Sequence, residues 1–243
     1  MRAAPLSALI VVVIVGGLTL DRVYGVPGQI GVTVVVWALL IWLCWRSDAA
    51  LRTRLMACVW ISGAGEIGAS LLWRLYDYQF LNVPLFVPPG HALLYLFGMV
   101  LAQWLPPRVA GLVPWLAAPP VLLLGWIGAD TLSLCLFALF VLFMRFGRNR
   151  PLYATMFVLA LVMEIIGTAI GNWHWPAEVR LIGLTTLNPP IAAGVFYCAL
   201  DSLVGRRMRL LTGAQRDPPR TGLTPANPRP PLNGAYFLVR TRF

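Results

Sequence analysis

Residues 164–175 read EIIGTAIGNWHW: a glutamate, a run of aliphatic and glycine residues, then two tryptophans flanking a histidine. From Leu152 to Gly171 the chain is otherwise almost wholly apolar, and its length matches the roughly 20 residues of a membrane-crossing helix. Read this way, Glu164 lies inside the hydrocarbon, where a charge costs on the order of 2.5–3.5 kcal/mol on insertion scales. Such a residue must face the bundle interior, bond to a partner or carry a proton.

The composition agrees with a membrane setting. The 243 residues are 59% hydrophobic and 12% charged, whereas soluble domains carry about 25% charged residues. Seven further apolar segments join 152–171, at about 5–20, 28–45, 53–74, 89–106, 110–127, 129–146 and 188–205. The fold class expected is therefore an all-α, polytopic transmembrane bundle of about eight spans occupying residues 1–210. The first run, Leu6 to Leu20, follows a single Arg2 and lacks a small-x-small cleavage site, so it reads as a retained helix. Residues 211–243, rich in proline and arginine, read as a disordered cytoplasmic tail.

All nineteen basic residues are arginine, as expected of a GC-rich bacterial genome. The net charge of +10 resides in short loops and the tail, which fits lipid phosphates and the orientation rule better than nucleic acid. Loops after the second, fourth and sixth spans, with the two ends, hold Arg2, Arg46, Arg52, Arg54, Arg108, Arg145, Arg148, Arg150, Arg206, Arg207 and Arg209. The opposite loops hold only Arg22, Arg74 and Arg180. Both termini are thus expected in the cytoplasm of a multi-pass protein of the bacterial inner membrane. Cys44, Cys58, Cys135 and Cys198 all fall in apolar runs without a CxxC pair, so buried packing thiols are expected.

Glu66, in GEIGAS, has features in common with Glu164, in MEIIGT. An arginine-bearing loop precedes each, and an aromatic cluster follows, Tyr76–Asp77–Tyr78 in one case and Trp173–His174–Trp175 in the other. A diproline comes next, Pro88–Pro89 and Pro189–Pro190. This order predicts a 4+4 parallel internal repeat, with halves of about 1–107 and 108–210.

Helical spacing sets Gly63, Ala69, Ser70 and Trp73 on the face of Glu66, and Gly167, Thr168 and Gly171 on that of Glu164. Gly167 and Gly171 form a GxxxG pair, which serves helix packing or the close approach of a ligand. Asn172, Trp173, Trp175, Trp73, Tyr76, Asp77 and Asn188 are candidate binding residues; the aromatics equally fit an interfacial belt, and Asn188 equally fits a helix cap. His91, in the first turn of the fourth span, is a candidate for proton transfer or hydrogen bonding beside the catalytic candidates Glu164 and Glu66. His91 and His174 lack the spacing of a metal motif, so neither metal nor cofactor is expected. Asp201 pairs with an arginine one turn on, or forms a second acidic point at the inner end of a cavity.

The pattern Glu164-x-x-Gly167-x-x-x-Gly171-x-Trp173-x-Trp175, followed by a proline-led segment, resembles the small polytopic carotenoid hydratases and lycopene cyclases. That resemblance implies acid-initiated chemistry on a polyene in the bilayer, with Glu164 as the acid and Trp173 and Trp175 as pocket walls. The expectation is a lyase or isomerase with an outward-facing intramembrane acidic site lined by Glu66 and Glu164, whose partners are membrane lipids and a lipid-like substrate, oligomeric state open. A small proton-coupled transporter and a non-catalytic membrane assembly partner are the alternatives.

Overall fold

The computed structural model describes residues 3–213, and those residues are mainly helical. Helix α1, Ala3–Arg46, is interrupted at Gly25, whose φ of 60° and ψ of −137° are not helical, with Pro27 close behind. A straight helix would hold Gly17 and Val32 about 22 Å apart. A Cβ placed on Gly17 would instead lie 3.0 Å from Val32 Cγ1. The arms 3–24 and 26–46 therefore fold back on each other as an antiparallel hairpin, each long enough for a bilayer core of about 30 Å.

Helix α2, Ala49–Glu66, begins at Asp48, whose carboxylate accepts from Leu51 N at 2.7 Å. Beyond Glu66 the helix widens into a π-helical segment, Ile67–Leu72, where Trp73 N donates to Gly68 O at 2.9 Å. Strand β1, Asp77–Tyr78, leads to α3, Val87–Ala102, whose first turn takes Pro88 and Pro89, residues with no N–H to lose there. Next come α4, Pro107–Ala110, α5, Val113–Trp126, and α6, Thr131–Phe146. Helix α7, Arg150–Ile170, ends at Gly171 in the left-handed conformation (φ 90°) that a glycine adopts without strain. Strand β2, Trp173–His174, pairs antiparallel with β1, setting Asp77 opposite His174 and Tyr78 opposite Trp173. A second small ribbon joins β3, Glu178–Val179, to β4, Leu184–Thr185, before α8, Val195–Gly213.

Helices α2, α3, α7 and α8 pack around a common core, α1 lies against α3 and α7, and α6, with α5 packed on it, lies against α7 and α8. Two small residues allow close approach. A Cβ on Gly98 would meet Met156 Sδ at 2.0 Å, and one on Gly194 would meet Phe157 O at 2.3 Å. Phe140 and Phe157 stack at 4.1 Å within this core. Outward faces are apolar as well: Val12 is 67% exposed, Trp115 78% and Trp126 89%. Exposed apolar surface on this scale suits lipid contact.

Four helical stretches are long and apolar enough to cross a membrane by length and composition: Ala4–Arg46, Ala49–Leu72, Pro107–Trp126 and Arg150–Ile170. Helices α3 and α6 are apolar but shorter. The eight-span count and the 4+4 repeat are not supported at this level. One kinked helix stands where two spans are expected, at 5–20 and 28–45, whereas the span expected at 110–127 largely coincides with the stretch Pro107–Trp126. Pro189–Pro190 does not open α8, which starts at Val195. The reason is that Ile191 N donates to Asp130 Oδ2 at 3.1 Å and Ala192 N to Ser133 Oγ at 3.1 Å, so this backbone docks on the start of α6 instead of beginning a helix. Cys44, Cys58 and Cys198 are buried thiols, whereas Cys135 is exposed on the outward side of α6. The expected tail over 211–243 lies outside the described residues from 214 onward, and 211–213 belong to α8.

Candidate functional site

Glu66 and Glu164 each stand six residues before the end of their helical stretch, at Leu72 and Ile170 respectively, and both line one cavity of about 70 Å³. They reach it from α2 and α7, helices that do not rank among each other's main packing partners. The hairpin α1 supplies an apolar wall with Val13, Ile14, Leu18, Val32 and Val36.

Glu66 is only 6% exposed. Its Oε2 accepts from the hydroxyls of Tyr76 and Tyr78, both at 2.8 Å. Its Oε1 lies 2.9 Å from His91 Nε2. With Glu66 ionised its oxygens only accept, and the Nε2 N–H then donates to Oε1. Three donors thus converge on this acid, and the two phenols come from the loop that follows its own helix. Burial, and after it the Glu66 charge, pushes the Tyr76 and Tyr78 phenols well above their ordinary value. They remain donors at any physiological pH.

Glu164 is held differently. The indole N–H groups of Trp173 and Trp175 donate to Oε2 at 2.7 and 3.0 Å. Oε1 makes no hydrogen bond with any described residue. An indole can only donate, so Oε2 is the accepting oxygen and the proton of a neutral acid belongs on Oε1. Gly167 fixes this arrangement, since a Cβ there would meet Trp173 Cη2 at 1.9 Å. Within the GxxxG pair, Gly167 therefore seats an indole of the same chain, and Gly171 makes the left-handed turn that returns the chain toward Glu164.

The aromatics interlock. Tyr76 and Trp175 lie 4.8 Å apart between ring centroids, Tyr78 and Trp173 6.0 Å, and Tyr76 and Tyr78 5.8 Å. The β1–β2 ribbon holds the two clusters together. Of the residues singled out from sequence, Glu66, Glu164, His91, Tyr76 and Trp173 line the cavity, and Trp175 supports it from behind.

The other candidates fall elsewhere. The π-helical segment turns Trp73 off the Glu66 face: it is 38% exposed, and its Nε1 donates to Arg180 O at 2.9 Å. Asp77 sits in β1 opposite His174 and does not line the cavity. Asn188 caps no helix; its Oδ1 accepts from the backbone N–H of Trp175 at 2.9 Å and so holds the main chain there. Asn172 belongs to a separate network. There Asp21, 1% exposed, accepts from Asn172 Nδ2 at 2.9 Å, Gln79 Nε2 at 3.0 Å and Gln29 Nε2 at 3.3 Å. Those bonds tie the turn of α1 to the two aromatic loops. Asp201 accepts from the Tyr95 hydroxyl of α3 and makes no ion pair with Arg206 among the described residues. No group of three His, Cys, Asp or Glu among the described residues is arranged to hold a metal ion.

Tyr78, Tyr197 and, in the network that holds Asn172, Asp21, Gln29 and Gln79 are not among the candidate residues read from sequence. Tyr78 had a signal in the Tyr-x-Tyr spacing that mirrors Trp-x-Trp. Tyr197 had a fainter one, four residues before Asp201 and so on the same face of α8. Comparison with protein-family models, characterised proteins and solved structures returns no match.

Proposed function

We propose that the protein is a membrane enzyme that carries out acid-initiated chemistry, cyclisation or hydration, on an isoprenoid-like or other lipid substrate. The observation that carries this reading is one cavity with two carboxylates of unlike wiring, Glu66 bonded through both oxygens and Glu164 with Oε1 unengaged. Glu164 Oε1–H donates its proton to a carbon–carbon double bond, leaving a carbocation and the Glu164 carboxylate. The faces of Trp173, Tyr76 and Tyr78 and the charge of Glu66 stabilise that cation. A neighbouring double bond then attacks, and proton loss to Glu164 closes an isomerisation; addition of water followed by proton loss gives hydration instead. Either balance is complete without an added cofactor. The apolar α1 wall suits a hydrocarbon chain, and the cavity admits the end of such a chain.

In this reading α1 crosses the bilayer with both arms, the shorter apolar helices cross as well, and both termini face the cytoplasm of a bacterial inner membrane. The resemblance to carotenoid hydratases and lycopene cyclases points the same way. Glu164→Gln should abolish the product in the lipid and carotenoid profile of the host and accumulate its precursor, with Glu66→Gln reducing it. An unchanged profile in both variants would sink the reading.

A second reading, a proton-coupled transporter, is favoured by one feature. On α3, Tyr95 follows His91 by one turn, and on α8, Asp201 follows Tyr197 by one turn. His91 stacks on Tyr197 at 5.3 Å, and Tyr95 bonds Asp201, so polar groups continue from Glu66 toward the arginine-rich end. Proton flux into liposomes that disappears in Asp201→Asn would select it.

A further inference from the structure

Two acids and the rings of Tyr76, Tyr78 and Trp173 line the cavity, and no arginine is among its lining residues. The sequence contains no lysine. His91 answers the first acid, with Nε2 at 2.9 Å from Glu66 Oε1. Glu164 makes no ion pair among the described residues. Its Oε2 is taken by two indole N–H groups, while Oε1 has no hydrogen-bond partner there. Tyr197 Oη and Asn172 Oδ1 are unpartnered too, but they are wholly enclosed by the protein. Glu164 is half-buried, and its Oε1 is not among those enclosed atoms. The cavity thus offers one open acceptor on an acid without a counter-ion.

The surroundings of that acceptor favour positive charge. Aromatic faces attract a cation within about 6 Å of the ring, and three aromatic side chains share this cavity with the second acid, Glu66. A volume of about 70 Å³ holds about two water-sized groups, the carbon and nitrogen of a –CH2–NH3+ head. The hydrocarbon wall of α1, with Val13, Ile14 and Leu18, suits the chain behind such a head.

We infer that the cavity is a binding site for a primary alkylamine, whose ammonium head donates an N–H to Glu164 Oε1. A head that arrives as free amine takes the Oε1 proton: the nitrogen lone pair forms the new N–H bond as the O–H bond breaks, leaving ammonium and carboxylate. One that arrives as ammonium meets the carboxylate directly, and the complex is the same. Such a ligand is a lasting counterpart of the short-lived carbocation in the proposed reaction and competes with the alkene for the site. From the reading above, the inference takes only that lipid-like chains enter this cavity.

The test uses the full chain in phosphatidylcholine nanodiscs at pH 7, where an alkylamine is protonated in water. Binding of radiolabelled dodecylamine above that of empty nanodiscs is measured, then displaced by unlabelled dodecylamine, dodecanol or dodecyltrimethylammonium. The amine should displace at about tenfold lower mole fraction than the alcohol, the difference between a charge-assisted and a neutral hydrogen bond. The trimethylammonium probe, which has no N–H and a bulkier head, should do no better than the alcohol. Glu164→Gln, which keeps an acceptor for the indoles and loses the charge, should abolish the amine preference. Equal displacement by amine and alcohol, equal displacement by the two cations, or a preference that survives Glu164→Gln overturns the inference. The wild-type comparisons decide even if the variant does not fold. Amine binding beside an unchanged host lipid profile in the glutamate variants upholds this site and sinks the enzymatic reading; a lost product without amine preference does the reverse.

Discussion

Trp173 lies over the bare Cα of Gly167 while its indole nitrogen reaches Glu164 Oε2 at 2.7 Å. The glycine, the indole and the acid are thus one mechanical unit. Gly167→Ala should push the indole away, breaking that bond and costing about 1–3 kcal/mol as an overpacked core site. The check is unfolding in detergent followed by circular dichroism, with a red shift in tryptophan emission. A variant with wild-type stability and emission would show that the indole is not seated on this glycine.

The acid itself separates wiring from chemistry. Glu164→Gln keeps an amide oxygen for both indoles and should fold with a stability within about 1 kcal/mol of the parent, while losing activity. Glu164→Leu removes the acceptor and leaves two N–H groups unpaired, at about 1–3 kcal/mol each. If the leucine variant proves as stable as the glutamine variant, the two indole bonds contribute nothing.

The Tyr76 and Tyr78 phenols give a pH signature. Their folded values lie above the ordinary phenol value of 10, so the folded state holds these protons more firmly than the unfolded one. Their contribution to stability is therefore fully present below about pH 10 and declines as pH rises beyond it. Tyrosinate absorbance should reveal a late-titrating class among the seven tyrosines, reduced by two in Tyr76→Phe/Tyr78→Phe. A late class of unchanged size in that variant would contradict the assignment.

Asp130, wholly buried, accepts from Ser133 N, Ser133 Oγ and Ile191 N at 3.2, 2.6 and 3.1 Å. It caps α6 and anchors the segment before α8 at once. Asp130→Ala should cost about 3 kcal/mol, the sum of a lost cap and stranded donors, and Asp130→Asn about half of that. Thermal melts of the two variants test the order; equal melting temperatures would mean that only one of these bonds matters.

The paired acids were legible because a carboxylate in an apolar run has few innocent explanations, and the aromatic-x-aromatic spacing behind each one repeats. The β1–β2 pairing that joins the two clusters, between residues nearly a hundred positions apart, has no such signal. Trp73 leaves the Glu66 face that regular helical spacing predicts, because a π-helical segment alters that face without a signature in composition. The diproline before α8 imitated the one that opens α3; its different role depends on Asp130, a turn residue in another part of the chain. A single tyrosine among apolar residues, as Tyr197 is, has no sequence signature that marks its hydroxyl as unpartnered.

Each acid receives its nearest donors from the chain just ahead of it, ten and twelve residues on for Glu66 and nine and eleven for Glu164. This bears on how the protein is made. A chain delivered to the bilayer in order, N-terminus first, brings those partners in almost as soon as the acid itself. In the membrane reading proposed above, neither carboxylate has to wait in hydrocarbon for a distant helix, and the insertion penalty of a lone charge is met locally. The pairing of β1 with β2 joins these two hydrogen-bonded halves.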